Sequence, residues 1–227
     1  MKKIFALFLI CIVVAAGVFL YNGQGASNNL PEAEKQTAKS AVYTPNQSSN
    51  ILLINGNNPL PSNYKPENLI NLYQQKGRGF QLAESDIEIC QAVYEAMNTM
   101  FAAAKKDGVD GFIITSGYRS RSDQAAIFAN SNDGTAARPG TSEHESGLAF
   151  DVTAYGNKSF ELTPQFKWLL KHCGEYGFIL RYLKGSESVT GYPFESWHYR
   201  YVGVPYAKEI MDAGITLEEY LEREQRK

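Results

Sequence analysis

Thr141-Ser142-Glu143-His144-Glu145-Ser146-Gly147-Leu148-Ala149-Phe150-Asp151-Val152 is the stretch around which the rest of the chain is organised. It holds one of only three histidines, and seven positions later an aspartate inside an apolar run. Seven residues is too long a gap for two ligands on one helical turn, where same-face neighbours fall at i+3 or i+4. The spacing fits a loop that delivers His144, a turn at Gly147, and a strand over residues 148–152 that carries Asp151. Near the other end, Glu195-Ser196-Trp197-His198-Tyr199-Arg200-Tyr201-Val202 places a second histidine in an aromatic and β-branched run that also reads as a strand. Two adjacent strands would then present His198 and Asp151 side by side.

Two imidazoles, one carboxylate and one spare carboxylate are the set that a hydrolytic zinc site needs. Such a site takes three protein ligands and keeps a fourth position open. His144, Asp151 and His198 would fill the three places. Glu195 lies three residues before His198, and Pro193 just ahead of it points to a loop or bulge. A carboxylate there could take a proton from water and hand it to a leaving amine. Spacing alone leaves a plainer reading open, with His144 a hydrogen-bonded loop histidine and Trp197 a core residue. A structural zinc site would prefer four closed ligands, commonly with cysteine. None of Cys11, Cys90 and Cys173 lies near the two clusters.

Four motifs in order carry a family resemblance. Ser142-x-His144-x-x-Gly147-x-Ala149-x-Asp151 is followed by Glu195-x-Trp197-His198. Ser116-Gly117-Tyr118-Arg119-Ser120 comes before them, with Gln124 shortly after. Leu53-Ile54-Asn55 opens the series, with Pro59-Leu60-Pro61-x-x-Tyr64 downstream. Over residues 51 to 205 the chain resembles the VanY-type zinc D-alanyl-D-alanine carboxypeptidases. The resemblance implies zinc (Zn2+) as cofactor, with His144, Asp151 and His198 as its ligands. It implies Glu195 as catalytic base, Arg119 as the arginine that stabilises the carbonyl oxygen or binds substrate, and Ser142 and Gln124 as residues that hold the terminal D-alanine. The substrate class it implies is a peptidoglycan stem peptide, or a precursor, ending in D-alanine. Relatives differ in the bond they cut, so an L,D-carboxypeptidase acting on tetrapeptide stems is the alternative to the D,D enzyme. A link to glycopeptide resistance follows only for the D,D substrate. The rival from another class is a non-catalytic cell-wall-binding module. Glu145-Ser146 departs from the uncharged polar pair expected there, and we read Glu145 as facing solvent.

A length of 227 residues, with 44% hydrophobic and 20% charged residues, suits one domain with a sizeable core plus extra segments. The formal charge of -2 and the lack of a basic run argue against a nucleic-acid partner. Fourteen tyrosines and twelve phenylalanines fit either core and strand content or an aromatic-lined groove. Lys2 and Lys3 precede an apolar run from Ile4 to Leu20. That run would span ~26 Å as a helix, close to the ~30 Å hydrocarbon core. Residues 1–21 therefore read as a membrane anchor that leaves a single-pass protein with its catalytic domain outside, or as a cleaved signal that gives a secreted one. Residues 22–50, rich in Asn, Ser, Gln and Lys, read as a flexible linker, and residues 51–227 as the zinc carboxypeptidase domain.

The expected fold is α+β: a small, mainly antiparallel sheet with packed helices and the zinc on one face. Strands are expected at 51–54, 112–115 and 178–182, besides the two that carry ligands. Helices are expected from Ser85 to about Lys105, from a cap at Ser122 or Asp123 through Phe128, from Thr163-Pro164 to Gly177, and from Pro205 to about Ala213. A charged helix or tail follows from Leu217. Cys90 and Cys173 fall on expected helices and read as buried free thiols, with a disulfide as the other possibility. His172 reads as a surface or packing histidine.

Overall fold

The computed structural model describes residues 51–131, 136–156 and 159–226. The anchor or signal segment at 1–21, the linker at 22–50 and Cys11 lie outside the described residues. Among the described residues, no helix is long and apolar enough to cross a membrane.

Strand alternation builds the frame. β5 (Ala149–Ala154) turns Phe150, Val152 and Ala154 into the main core and Asp151 to the opposite face. It pairs antiparallel with β4 (Phe112–Ser116) on one side and with β7 (His198–Tyr201) on the other. β7 pairs antiparallel with β6 (Phe178–Leu180), while the short β2 (Gln81–Leu82) runs parallel to β4. The five-stranded order is β2-β4-β5-β7-β6. A second, two-stranded antiparallel sheet joins β1 (Leu69–Asn71) to β3 (Glu88–Cys90). The fold is thus α+β with a mainly antiparallel sheet.

One face of the sheet is an aromatic core. Phe112, Phe150, Phe178 and Tyr199 pack against α1 (Gln91–Lys106), whose Val93, Met97, Met100, Phe101 and Ala104 form its buried stripe. Phe101 and Phe112 sit 4.5 Å apart by ring centroid, and Phe150 stacks on Tyr199 at 5.8 Å. α3 (Pro164–His172) closes this core with Phe166, Trp168 and Leu169. On it, His172 stacks on Trp168 at 4.7 Å and meets Glu175 at 3.0 Å. A smaller cluster joins Ile179 and Val202 to α5 (Val204–Ala213) and α6 (Leu217–Gln225), with Ile51 and Leu53 packed on it.

Several sequence expectations need correction. Residues 51–54 form no strand. They find no ladder partner and instead pack their side chains on the smaller cluster, followed by an Asn55–Asn58 bridge. α1 begins at Gln91 rather than near Ser85, because residues 88–90 pair with the distant residues 69–71, and that long-range ladder overrides local helical spacing. α2 (Arg121–Asn130) is capped by Ser120, not by Ser122 or Asp123. Asp123 sits three residues in and returns its carboxylate to the Ser120 backbone, which makes a capping box. The 178–182 strand stops at Leu180, and the 184–193 loop contains a short helix, α4 (Glu187–Thr190). Cys173 is buried, Cys90 is half-buried at the entry to α1, and both are free thiols.

Gly117 shows how tightly the end of β4 is held. A Cβ there would lie 2.2 Å from the Glu88 carbonyl oxygen and 2.9 Å from the Ile87 side chain. The next residue donates its backbone N–H to the same oxygen at 2.7 Å. Gly117→Ala is expected to lower unfolding free energy by about 1–3 kcal/mol through overpacking. Urea denaturation of the variant checks this, and an unchanged midpoint would rule out the close approach.

Candidate active site and metal centre

Asp151 and His198 are direct partners in the β5–β7 ladder, so both side chains leave the sheet on the same face. His198 Nδ1 lies 3.1 Å from Asp151 Oδ1. His144 arrives from a 3-10 turn (Glu143–Ser146) that Gly147 ends in the left-handed conformation, with φ 69°. A Cβ at Gly147 would also meet Cys90 Sγ at 2.8 Å. This turn lets the chain pass from His144 into β5 and brings His144 Nε2 within 3.3 Å of Asp151 Oδ1.

The outer nitrogens of the two rings are already engaged. His144 Nδ1 meets the Gly117 carbonyl oxygen at 2.7 Å, so Nδ1 carries the proton and donates it, which leaves Nε2 facing Asp151. His198 Nε2 meets Glu143 Oε2 at 3.2 Å, so its Nδ1 faces inward. The three inward ligand atoms lie within 4.8 Å of one another. Tetrahedral bonds of about 2.0–2.2 Å place ligand atoms roughly 3.3–3.6 Å apart. Two imidazole nitrogens and one carboxylate oxygen are a donor set that zinc takes, and the two distances to Asp151, 3.3 and 3.1 Å, lie close to that spacing.

Electrostatics reinforces the arrangement. Burial would raise the Asp151 pKa, but His144 and His198 overcome it and hold the carboxyl well below its usual range. Burial disfavours charge on His198, yet its hydrogen bonds to Asp151 and Glu143 win and raise its pKa to about 9 in the metal-free site. His144 moves the other way, lowered chiefly by burial. Burial also raises Glu195 above the ordinary carboxylate value, although His198 opposes the shift. Glu195 Oε2 lies 3.8 Å from His198 Nδ1.

Arg119, Gln124, Ser142, His144, Asp151, Glu195 and His198 all line one cleft of about 190 Å³. The structure brings every residue singled out from sequence to that cleft. Arg119 sits three residues past β4, pinned by its backbone N–H to the His144 carbonyl at 3.2 Å. Its Nη1 donates to Gln124 Oε1 at 2.7 Å, while its buried Nε has no partner. Gln124 is itself buried, and its Nε2 donates to the Ala137 carbonyl at 2.7 Å. Its amide thus bridges the arginine and the cleft rim. Tyr182, Tyr192 and Trp197 also line the cleft. Trp197 is 43% exposed, which sets aside the reading of it as core.

Glu145 does not face solvent as expected. It is buried, accepts from the Gly140 backbone N–H at 2.6 Å and pairs with Arg121 Nε at 2.5 Å. Arg121 also donates to the Leu60 and Pro61 carbonyls, so the pair ties α2, the rim and the N-terminal arm together. Sequence reasoning missed Glu143 altogether. That residue is fully buried against Arg181 and Arg200. Strand alternation held a signal for Arg200, because it shares a face with His198 two residues away.

Comparison with known proteins gives the family. The family model of VanY, described as D-alanyl-D-alanine carboxypeptidase, matches residues 86–204. YodJ of Bacillus subtilis (strain 168) is 41% identical over 189 residues, which covers 77% of this chain and 68% of that protein. The solved structure of the LdcB LD-carboxypeptidase superposes with a TM-score of 0.67 at 39% identity, covering 75% of this chain and 84% of that one. A vancomycin resistance D,D-pentapeptidase VanY from a VanB-type cassette, solved as a variant in complex with Zn(II), gives 0.60 at 35% identity, covering 74% and 97%. The fold and site define a VanY-class α+β enzyme. The chain belongs to the VanY D-alanyl-D-alanine carboxypeptidase family.

A protonated His198 must lose its proton before it can bind metal. Zinc uptake by the metal-free protein at pH 7 is therefore expected to release about one proton per ion, and apparent affinity should fall about tenfold per pH unit below pH 9. Calorimetry in buffers of different ionisation enthalpy measures this. Uptake without proton release would contradict the raised His198 pKa.

Proposed function

We propose that this protein is a zinc carboxypeptidase that removes the C-terminal D-alanine from peptidoglycan stem peptides, with D-Ala-D-Ala ends as its first substrate. The observation that carries this reading is the meeting of His144, Asp151 and His198 with Glu195 and Arg119 on one cleft. His144 Nε2, Asp151 Oδ1 and His198 Nδ1 would hold the metal. Bound zinc supplies a Lewis acid that makes water a competent nucleophile near neutral pH.

The remaining work falls to side chains. Glu195, beside His198 in the cleft, takes the proton of the attacking water and returns it to the amine of the departing D-alanine. Burial makes this carboxylate a stronger base than an exposed glutamate. Arg119 is steered by Gln124 and lines the cleft, where its guanidinium suits the oxygen that gains negative charge. The Ser142 hydroxyl lines the same cleft and suits the terminal carboxylate. Gln124 lines the cleft as well and suits the terminal D-alanine, while one bond at each end of its amide also holds Arg119 and the rim. Residues 1–21, as anchor or cleaved signal, would deliver the domain to wall peptides beyond the membrane, and the linker would give it reach.

A second reading is L,D-carboxypeptidase action on tetrapeptide stems. It is favoured by the higher identity to the LdcB LD-carboxypeptidase, 39%, than to the D,D-pentapeptidase, 35%. D-alanine release by the full chain from pentapeptide and tetrapeptide stems, with a chelator control, separates the two. Pentapeptide preference supports the D,D reading, and tetrapeptide preference replaces it with the L,D one. Glu195→Ala is expected to lower turnover by about 10²–10⁴-fold while zinc content by atomic absorption stays the same. Full activity in that variant would sink the assignment of the base.

A further inference from the structure

Behind His198 lies a buried ionic relay that reaches both ends of the domain. Glu143 Oε1 accepts from Arg181 Nε at 2.7 Å and from Arg200 Nη1 at 2.8 Å, while its Oε2 meets His198 Nε2 at 3.2 Å. Arg181 and Arg200 are fully buried. Arg181 turns its other two nitrogens to Glu218 of α6 as a bidentate pair, at 2.8 and 2.7 Å. Glu218 Oε1 also accepts from Asn55 Nδ2 at 3.0 Å. Arg200 Nη2 donates to the Leu52 carbonyl at 2.6 Å. Two arginines thus balance two carboxylates, and every link has hydrogen-bonding distance.

We infer that Glu143 is a positioning residue for the metal centre, and that the Asn55–Glu218–Arg181–Glu143 relay makes the N-terminal arm and α6 part of the support for His198. The inference rests on reading His144, Asp151 and His198 as the metal ligands. An imidazole has two nitrogens, and the one that binds metal is selected by the hydrogen bond the other makes. Glu143 accepts from Nε2–H, so when His198 gives up one proton to bind metal the lone pair is left on Nδ1, the nitrogen that faces Asp151. A buried carboxylate with its other oxygen unpaired would turn away from the ring to find donors. Arg181 and Arg200 both donate to Oε1, which fixes the carboxylate and aims Oε2 at the histidine. The fork on Glu218 satisfies the two Arg181 nitrogens that Glu143 leaves unpaired and so fixes the guanidinium plane. Residues 52, 55 and 218 lie outside the 86–204 segment that the family model matches, so this support comes from parts of the chain beyond that core.

The test is zinc affinity, by chelator competition, on the full-length wild type, Glu143→Gln and Glu218→Gln, with thermal unfolding run alongside. Glu143→Gln is expected to bind zinc about 10–100-fold more weakly. Glu218→Gln, at the edge of the relay, is expected to show a smaller loss in the same direction while remaining folded. In the zinc-loaded wild type the His198 Nε2–H proton should resonate far downfield and exchange slowly, and in both variants it should move upfield. Wild-type affinity in Glu218→Gln with an unmoved Nε2–H signal would overturn the relay, even if Glu143→Gln fails to fold. A wild type that takes up no zinc would instead overturn the metal reading beneath it.

Discussion

Glu143, buried between Arg181 and Arg200, is the interaction on which the rest of the structure depends. Burial by itself would push this carboxyl toward protonation. The Arg181 and Arg200 charges and the His198 hydrogen bond outweigh burial and hold its pKa far below the usual range. Burial also works against the Arg181 charge, and Glu143 and Glu218 more than offset it. Ion pairs this deep are rarely a net source of stability, because desolvation cancels much of the attraction. Removing one partner is a different matter, at about 3–5 kcal/mol, since it leaves an uncompensated charge inside. The group therefore acts as a constraint on geometry: once folded, it admits one arrangement of the 3-10 turn, β7 and α6.

The same constraint explains why the active face of the sheet is polar while the other is aromatic. Along β7, His198 and Arg200 point to the site face, and Tyr199 and Tyr201 to the core face. Along β5, Asp151 joins the site face and Phe150 and Val152 the core. Alternation with period two delivers both sets from the same two short strands. The aromatic face supplies the hydrophobic drive, at about 25 cal/mol for each Å² buried. That drive holds rigid a sheet whose other face carries charges that would not assemble alone.

Much of this was legible in the chain. The His144–Gly147–Asp151 spacing and the aromatic run around His198 predicted a turn and two strands, and the fold has them in register. Local chemistry was sufficient there, because turn residues and period-two alternation act over a few positions. The errors fell where partners are remote in sequence. Residues 51–54 have strand composition but meet no strand. Residues 88–90 were absorbed into a helix because their partners, residues 69–71, are distant. From sequence Glu145 reads as facing solvent, and Arg121, which buries it, gives no local sign of doing so.

The sequence by itself determined the cluster of histidines and carboxylates that the site is built from and their strand and loop carriers, since these depend on residue chemistry and short-range spacing. Only the tertiary structure decided which nitrogen of each histidine faces inward, because the Gly117 carbonyl and Glu143 that settle this come from separate parts of the chain. It alone decided that Gln124 serves Arg119, and that α6 and the N-terminal arm stand behind His198. Those outcomes depend on which charges end up excluded from water together, and that is fixed only when the whole chain has folded around them.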